Sequence, residues 1–80
     1  MARELLGLVI RGLRRGRSRN QYGAAVGVTY SAVRKYEHGQ TLPGWDTCEA
    51  IIVEASMSDR ERHAFLDLIL AASSTSPLEA

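Results

Sequence analysis

The segment from Ser18 to Gly39 constrains the fold more strongly than any other part of this 80-residue chain. It predicts two short helices separated by a tight turn at Gly27. Ser18 and Thr29 are residue types that cap helix N-termini, because their hydroxyl oxygens accept hydrogen bonds from backbone N–H groups of the first turn. Gly39 lies where a glycine commonly ends a helix. Two capped helices in such close succession predict a helix–turn–helix unit.

The second of these helices has a buried side and an outward side. Val33 and Tyr36 occupy inner positions at helical spacing. The outward positions carry hydroxyl and basic groups, at Tyr30, Ser31, Arg34 and Lys35. A helix that packs by one side and offers hydroxyls and cations on the other suits the major groove of DNA, where such groups bind base edges.

Helical periodicity continues through the rest of the chain, and no segment alternates as a β-strand does. Ser58 caps the last helix, with Glu61 three residues later completing a capping box. The sequence therefore predicts an all-α domain over residues 1–72 and a flexible, serine-rich tail over residues 73–80. The predicted helices cover residues 3–15, 19–26, 30–38, 45–55 and 59–72.

Charge is distributed unevenly along the chain, although the net formal charge is only +1. Residues 1–38 contain eight basic and two acidic residues, a net charge of +6. Residues 39–80 contain two basic and seven acidic residues, a net charge of −5. The cationic half indicates a polyanionic partner, and a solvated charged surface is the alternative. The helix–turn–helix pattern lies in the cationic half, which favours nucleic acid.

Several functional classes lack their sequence signals. Cys48 is the only cysteine, so an intrachain disulfide is excluded and a reducing, cytoplasmic location is expected. His38 and His63 have no companion ligands at metal-site spacing, and no nucleophile–base pair or phosphate loop is present. We therefore expect no enzyme activity, no metal and no cofactor. The apolar runs are too short to span a bilayer, and Arg11 interrupts the N-terminal one, so neither a membrane segment nor a signal peptide is expected.

Four short features follow one another along the chain: LGLVIRGLR at 6–14, GVT at 27–29, VRKYEHG at 33–39, and Pro43 before an amphipathic helix. In their order and separation, they resemble the phage Cro and C1 repressor-type helix–turn–helix proteins, the XRE or lambda-repressor-like family. The resemblance covers about residues 5–70. It implies a compact five-helix domain that binds a palindromic operator as a homodimer, with helix two across the DNA backbone and helix three in the major groove.

The resemblance also assigns roles to individual positions. Base contacts fall at Tyr30, Ser31, Arg34 and Lys35, with phosphate contact as the alternative for the two cations. Arg19 stands where the family usually has a glutamine that braces the recognition helix and contacts phosphate. Glu37 is expected to make a structural ion pair. The expected DNA backbone contacts are Arg17, Arg19, Thr29, Gln40 and Thr41.

Helix five is richer in apolar residues than one buried stripe requires. A dimer interface would bury the excess, and packing of helices one and four around helix five is the alternative. The candidate dimer residues are Phe65, Leu66, Ile69 and Leu70.

Taken together, these features predict a sequence-specific regulator of transcription, a repressor of the phage type, that binds double-stranded DNA. Two alternatives remain open within the same fold. One is an antitoxin-like DNA-binding protein with a toxin partner. The other is a protein-interaction module that does not bind DNA.

Overall fold

The computed structural model describes residues 1–73, which contain five α-helices and no strand. All five begin and end within one residue of their predicted bounds, so the all-α prediction is confirmed. Ser73, assigned to the tail, is instead the last residue of a helix, and the rest of the predicted tail lies outside the described residues. No helix in residues 1–73 is both long and apolar enough to cross a bilayer. The helices are α1 (Ala2–Arg14), α2 (Arg19–Val26), α3 (Tyr30–Glu37), α4 (Trp45–Glu54) and α5 (Asp59–Ser73).

The helix starts and the turn are built as the sequence predicts. Ser18 Oγ accepts a hydrogen bond from Gln21 N–H at 3.1 Å, and Gln21 Oε1 accepts one from Ser18 N–H at 3.0 Å. At the start of α3, Thr29 Oγ1 accepts a hydrogen bond from Ala32 N–H at 3.1 Å. Gly27, between the two helices, has a φ of 81°, a left-handed conformation that glycine adopts at little cost. The caps and the glycine thus fix the length of both short helices.

A single core cluster takes side chains from all five helices. Helix α1 packs against α3 and α5, while α2 packs against α3 and α4. Cys48 is buried in this core, as expected, and burial raises the pKa of its thiol, which donates to the Pro43 carbonyl at 3.7 Å. The buried hydrophobic residues are Leu6, Ile10, Tyr22, Val26, Val33, Tyr36, Cys48, Ile51, Ile52, Phe65, Ile69 and Ala72.

Two glycines allow backbone segments to meet more closely than side chains would permit. A Cβ atom on Gly23 would lie 2.6 Å from the Val28 carbonyl oxygen, so the turn rests directly on α2. A Cβ atom on Gly7 would overlap the Glu37 carbonyl group, so α1 crosses the end of α3 in backbone contact. Helix α3 is therefore held close to both preceding helices.

Alanine substitution at Gly23, with Gly12 as the control, tests this close packing. Gly23→Ala should lower the free energy of unfolding by about 1–3 kcal/mol, because the turn must shift to admit the methyl group. The matched control is Gly12→Ala, since nothing lies within 4 Å of a Cβ at that exposed helical position. The control should raise the free energy of unfolding by about 0.5–1 kcal/mol. Urea denaturation measures both, and a Gly23→Ala protein as stable as wild type would contradict the tight turn.

Candidate nucleic-acid interface

Helix α3 has the two-sided character that the sequence predicts. Val33 and Tyr36 are buried in the core. Neither Arg34 nor Lys35 has a side-chain hydrogen bond or ion pair within residues 1–73, so both cations are available to a ligand. The outward, exposed side chains of α3 include Tyr30, Ser31, Arg34 and Lys35.

The loop after α3 is fixed by backbone hydrogen bonds. Gly39 has a φ of 70°, and its N–H group donates to the Tyr36 carbonyl at 3.2 Å. The Gln40 N–H group donates to the Lys35 carbonyl at 2.9 Å, which completes a Schellman motif. Arg3 of α1 adds hydrogen bonds to the Gly39 and Gln40 carbonyls, each at 3.5 Å. Three expected contacts to the DNA backbone are exposed residues that flank α3: Thr29, Gln40 and Thr41.

A carboxylate at the end of α3 is bound by two arginines, and we call Glu37, Arg14 and Arg19 the Glu37 cluster. Arg14 Nε lies 2.8 Å from Glu37 Oε2, and Arg19 Nη2 lies 3.0 Å from Glu37 Oε1. Only 2% of the Glu37 side chain is exposed. The expectation of a structural ion pair at Glu37 is confirmed, and it joins α1, α2 and α3 at one point.

Arg19 braces α3 at both ends of that helix. It pairs with Glu37 at the end of α3, and its guanidinium carbon lies 6.0 Å from the centroid of the Tyr30 ring at the start of α3. The hydrogen bond that Arg19 donates to the Glu37 carboxylate raises the pKa of Arg19, so the side chain stays cationic. Its side chain is 25% exposed. Arg19 therefore bonds within the domain first, and only its exposed edge can contact a phosphate.

Arg17, an expected DNA backbone contact, makes most of its hydrogen bonds inside the domain. Arg17 Nη1 lies 2.7 Å from Glu54 Oε2 of α4, and the pair lowers the pKa of Glu54 and raises that of Arg17. Its Nε donates to the Arg14 carbonyl at 2.9 Å and its Nη2 to the Leu13 carbonyl at 3.1 Å. All three guanidinium nitrogens are thus engaged inside the domain. Arg17 ties the link between α1 and α2 to α4, and only one N–H group, on Nη1, is left without a partner among residues 1–73.

Internal pairing reduces the cationic excess that the sequence suggests. Three of the eight basic residues in 1–38, namely Arg14, Arg17 and Arg19, are paired with Glu37 or Glu54. Only Arg34 and Lys35 belong to α3 itself. The five basic residues of this half without an ion pair among the described residues are Arg3, Arg11, Arg15, Arg34 and Lys35.

The candidate dimer residues of α5 divide into two groups. Phe65 and Ile69 are each only 4% exposed and pack in the core, so they offer almost no surface to a partner. Leu70 is 54% exposed, while Leu66 is half-buried at the rim of a cavity of about 190 Å³ that Trp45 also lines. We call Trp45, Leu66 and Leu70 the α4–α5 face.

The chemistry of the α3 surface is that of hydrogen bonding and charge. Hydroxyl, ammonium and guanidinium groups are the kinds of side-chain group that hydrogen-bond to phosphate oxygens and to base edges in protein–DNA complexes. Within residues 1–73, no group of three or more His, Cys, Asp or Glu side chains is placed to hold a metal ion. Comparison with protein-family models, curated proteins and solved structures finds no match to this chain.

Substitution of Glu37 tests whether the Glu37 cluster holds the domain together. Glu37→Gln should lower the free energy of unfolding by about 1–3 kcal/mol, because two cations lose their carboxylate in a largely buried position. Glu49→Gln is the matched control, since Glu49 is exposed on α4 and makes no ion pair within the described residues. The control should change stability by less than about 0.5 kcal/mol. Equal stability of the two variants in urea denaturation would refute the structural role of Glu37.

Proposed function

We propose that this protein is a sequence-specific double-stranded DNA-binding regulator that represses transcription by occupying an operator. One observation carries the proposal. The unpaired cations Arg34 and Lys35 lie beside exposed hydroxyls on α3, whose end is fixed to α1 and α2 through the buried Glu37 carboxylate. A pre-positioned helix with such an outward face supports recognition of base edges without a large loss of conformational freedom.

The dimensions and polarity of α3 also support this role. Its eight residues extend over about 12 Å, comparable to the width of the major groove, about 12 Å. Its N-terminus carries partial positive charge and exposed Thr29, which suits a neighbouring phosphate. In this proposal Tyr30, Ser31, Arg34 and Lys35 face the bases, and Thr29, Gln40, Thr41 and the exposed edge of Arg19 face the backbone.

Duplex binding and its salt dependence test the proposal. Binding to a fluorescein-labelled duplex should weaken as salt rises, with a log–log slope of about −0.9 for each phosphate neutralised. Arg34→Ala and Lys35→Ala should each weaken binding by about 1–3 kcal/mol if the cation contacts a base, or reduce the slope by about 1 if it contacts a phosphate.

Arg60→Ala is the control, because Arg60 is an exposed arginine on α5, away from α3. Its affinity and slope should equal those of the wild type. Affinity that stays constant between 50 and 200 mM salt, or equal losses in the Arg34→Ala, Lys35→Ala and Arg60→Ala proteins, would contradict recognition by α3.

The proposal includes a homodimer that associates through the α4–α5 face. Trp45 is 59% exposed and Leu70 is 54% exposed, an unusual exposure for large apolar side chains near a half-buried Leu66. Burying each such side chain contributes about 1.5–3 kcal/mol. Twofold pairing would place two copies of α3 about one DNA turn apart, ~34 Å, which requires a palindromic operator.

Sedimentation of a double variant, Trp45→Ser with Leu70→Ser, tests this interface. Wild-type protein should sediment as a dimer at tens of micromolar, and the variant as a folded monomer with weaker affinity for paired half-sites. The control is Leu8→Ser, which removes a similarly exposed leucine from α1. A variant with the mass of wild type would exclude the α4–α5 face as the dimer interface.

A cytoplasmic location and the absence of catalysis complete the proposal. Operator DNA lies in the cytoplasm of a bacterial cell, and the one cysteine, Cys48, is a buried thiol. The proposed regulator needs no metal and no cofactor, because its contacts are hydrogen bonds and charge pairs. An antitoxin-like role would use the same DNA contacts and add a protein partner.

A further inference from the structure

Arg3, near the start of α1, holds its guanidinium group beside the loop that follows α3. Its Nη1 donates to the Gly39 and Gln40 carbonyls, each at 3.5 Å. A Cβ atom on Gly39 would lie 3.4 Å from Arg3 Cβ, so α1 and the loop are in van der Waals contact. The guanidinium group therefore lies at the C-terminal end of α3, although it belongs to another helix.

Those two hydrogen bonds leave most of the Arg3 guanidinium group without a partner. Both are longer than an ordinary N–H···O bond of about 2.9–3.0 Å. Within residues 1–73, Nε and Nη2 make no hydrogen bond. The neighbouring carboxylate, Glu4, pairs with the N-terminal ammonium group at 2.6 Å, and Arg3 has no ion pair in the same range of residues. The N–H groups on Nε and Nη2 are therefore available to a ligand.

The paired arginines of the same half of the chain differ from Arg3. Arg14, Arg17 and Arg19 each have a guanidinium nitrogen within 3.0 Å of a carboxylate oxygen. Arg3 bonds only to carbonyl oxygens, which orient its guanidinium group but carry no net charge to neutralise it. An anion that approaches the loop after α3 therefore meets an uncompensated cation held in one place.

Each end of α3 thus has a cation that comes from another helix. At the start, Arg19 of α2 lies beside the Tyr30 ring and keeps a 25% exposed side chain. At the end lies Arg3 of α1. The major groove is about 12 Å wide and is bordered by a sugar–phosphate strand on either side. Because α3 extends over about 12 Å, each of its ends would lie near one of these strands.

We propose that Arg3 binds a phosphate of the DNA backbone at the C-terminal end of α3, beside the exposed side chains of Gln40 and Thr41. Nε and Nη2 form the edge of a guanidinium group that donates two parallel hydrogen bonds to the oxygens of one phosphate. The inference rests on the proposed function and adds a contact that fixes where α3 lies in the groove. A phosphate contact carries no base information, so it sets affinity and position and leaves sequence preference unchanged.

The salt dependence of duplex binding separates a phosphate contact from a purely structural role. Arg3→Gln should reduce the log–log slope by about 0.9, because one phosphate fewer is neutralised. Its loss of affinity relative to wild type should therefore shrink by about 3.5-fold between 50 and 200 mM salt. Arg3→Lys should keep the wild-type slope, since an ammonium group also neutralises a phosphate. A weaker Arg3→Gln protein with the wild-type slope would show only a loosened loop and would overturn the proposal.

Arg15→Gln is the matched control for the loss of one positive charge. Arg15 is an exposed arginine just after α1 that lines a cavity with residues of α5 and makes no ion pair within residues 1–73. Its slope should equal that of wild type. Equal reductions of the slope in Arg3→Gln and Arg15→Gln would identify a general effect of net charge and would overturn the proposal.

Duplexes with single neutral linkages locate the contact. In the duplex that wild-type protein binds most tightly, one phosphate at a time is replaced by an uncharged methylphosphonate. At one position in each half-site the replacement should weaken wild-type binding several-fold and leave Arg3→Gln unaffected, because that variant has already lost the contact. If every replacement that weakens wild type weakens Arg3→Gln by the same factor, Arg3 binds no phosphate and the proposal is overturned.

The same measurements distinguish failure of this inference from failure of the proposed function. A steep salt dependence in wild type that is unchanged in Arg3→Gln would overturn the Arg3 contact and leave recognition by α3 standing. Wild-type protein that binds no duplex at any salt concentration would overturn both.

Discussion

The bonds between Glu37 and two arginines are the interaction on which the rest of this small domain depends. Helix α3 has only eight residues, and a helix that short is not stable in water without tertiary contacts. The carboxylate receives Arg14 from α1 and Arg19 from α2, so three helices share one buried charge. Desolvation of that carboxylate is compensated by short hydrogen bonds from both guanidinium groups. The outward face of α3 keeps one orientation because the C-terminal end of this helix is fixed in this way.

Ion pairs of this kind determine which cations of the sequence are bound inside the domain. One negative charge at Glu37 and another at Glu54 together occupy three arginines of the cationic half. Arg34 and Lys35 are two of the five basic residues of this half that remain unpaired among residues 1–73, and they lie on the helix that Glu37 and its two arginines hold in place. The paired arginines therefore lie against other helices, whereas the unpaired cations of α3 are exposed. Net charge alone cannot make that distinction, because Arg17 and Glu54 are 37 residues apart.

The local features of the fold were predictable because they rest on local chemistry. Ser18 and Thr29 cap their helices through side-chain hydrogen bonds that reach only three residues along the chain. Gly39 ends α3 because a left-handed residue is needed there. Features that depend on tertiary packing were not predictable. The division of the α5 residues is an example, since Phe65 and Leu66 are neighbours in sequence but only Phe65 belongs to the core. The exposed face of α1 was also missed, because Leu6 and Ile10 already account for a buried stripe on that helix.

Selection from random duplex DNA tests the central claim, that α3 recognises specific base sequence, most directly. Full-length protein should enrich one motif, built of two inverted half-sites whose centres lie about one helical turn apart, ~34 Å. The enriched duplexes should bind more tightly than the starting pool at physiological salt. A final pool with no enriched motif, from protein whose far-ultraviolet circular dichroism shows the folded helices, would contradict sequence-specific recognition by α3.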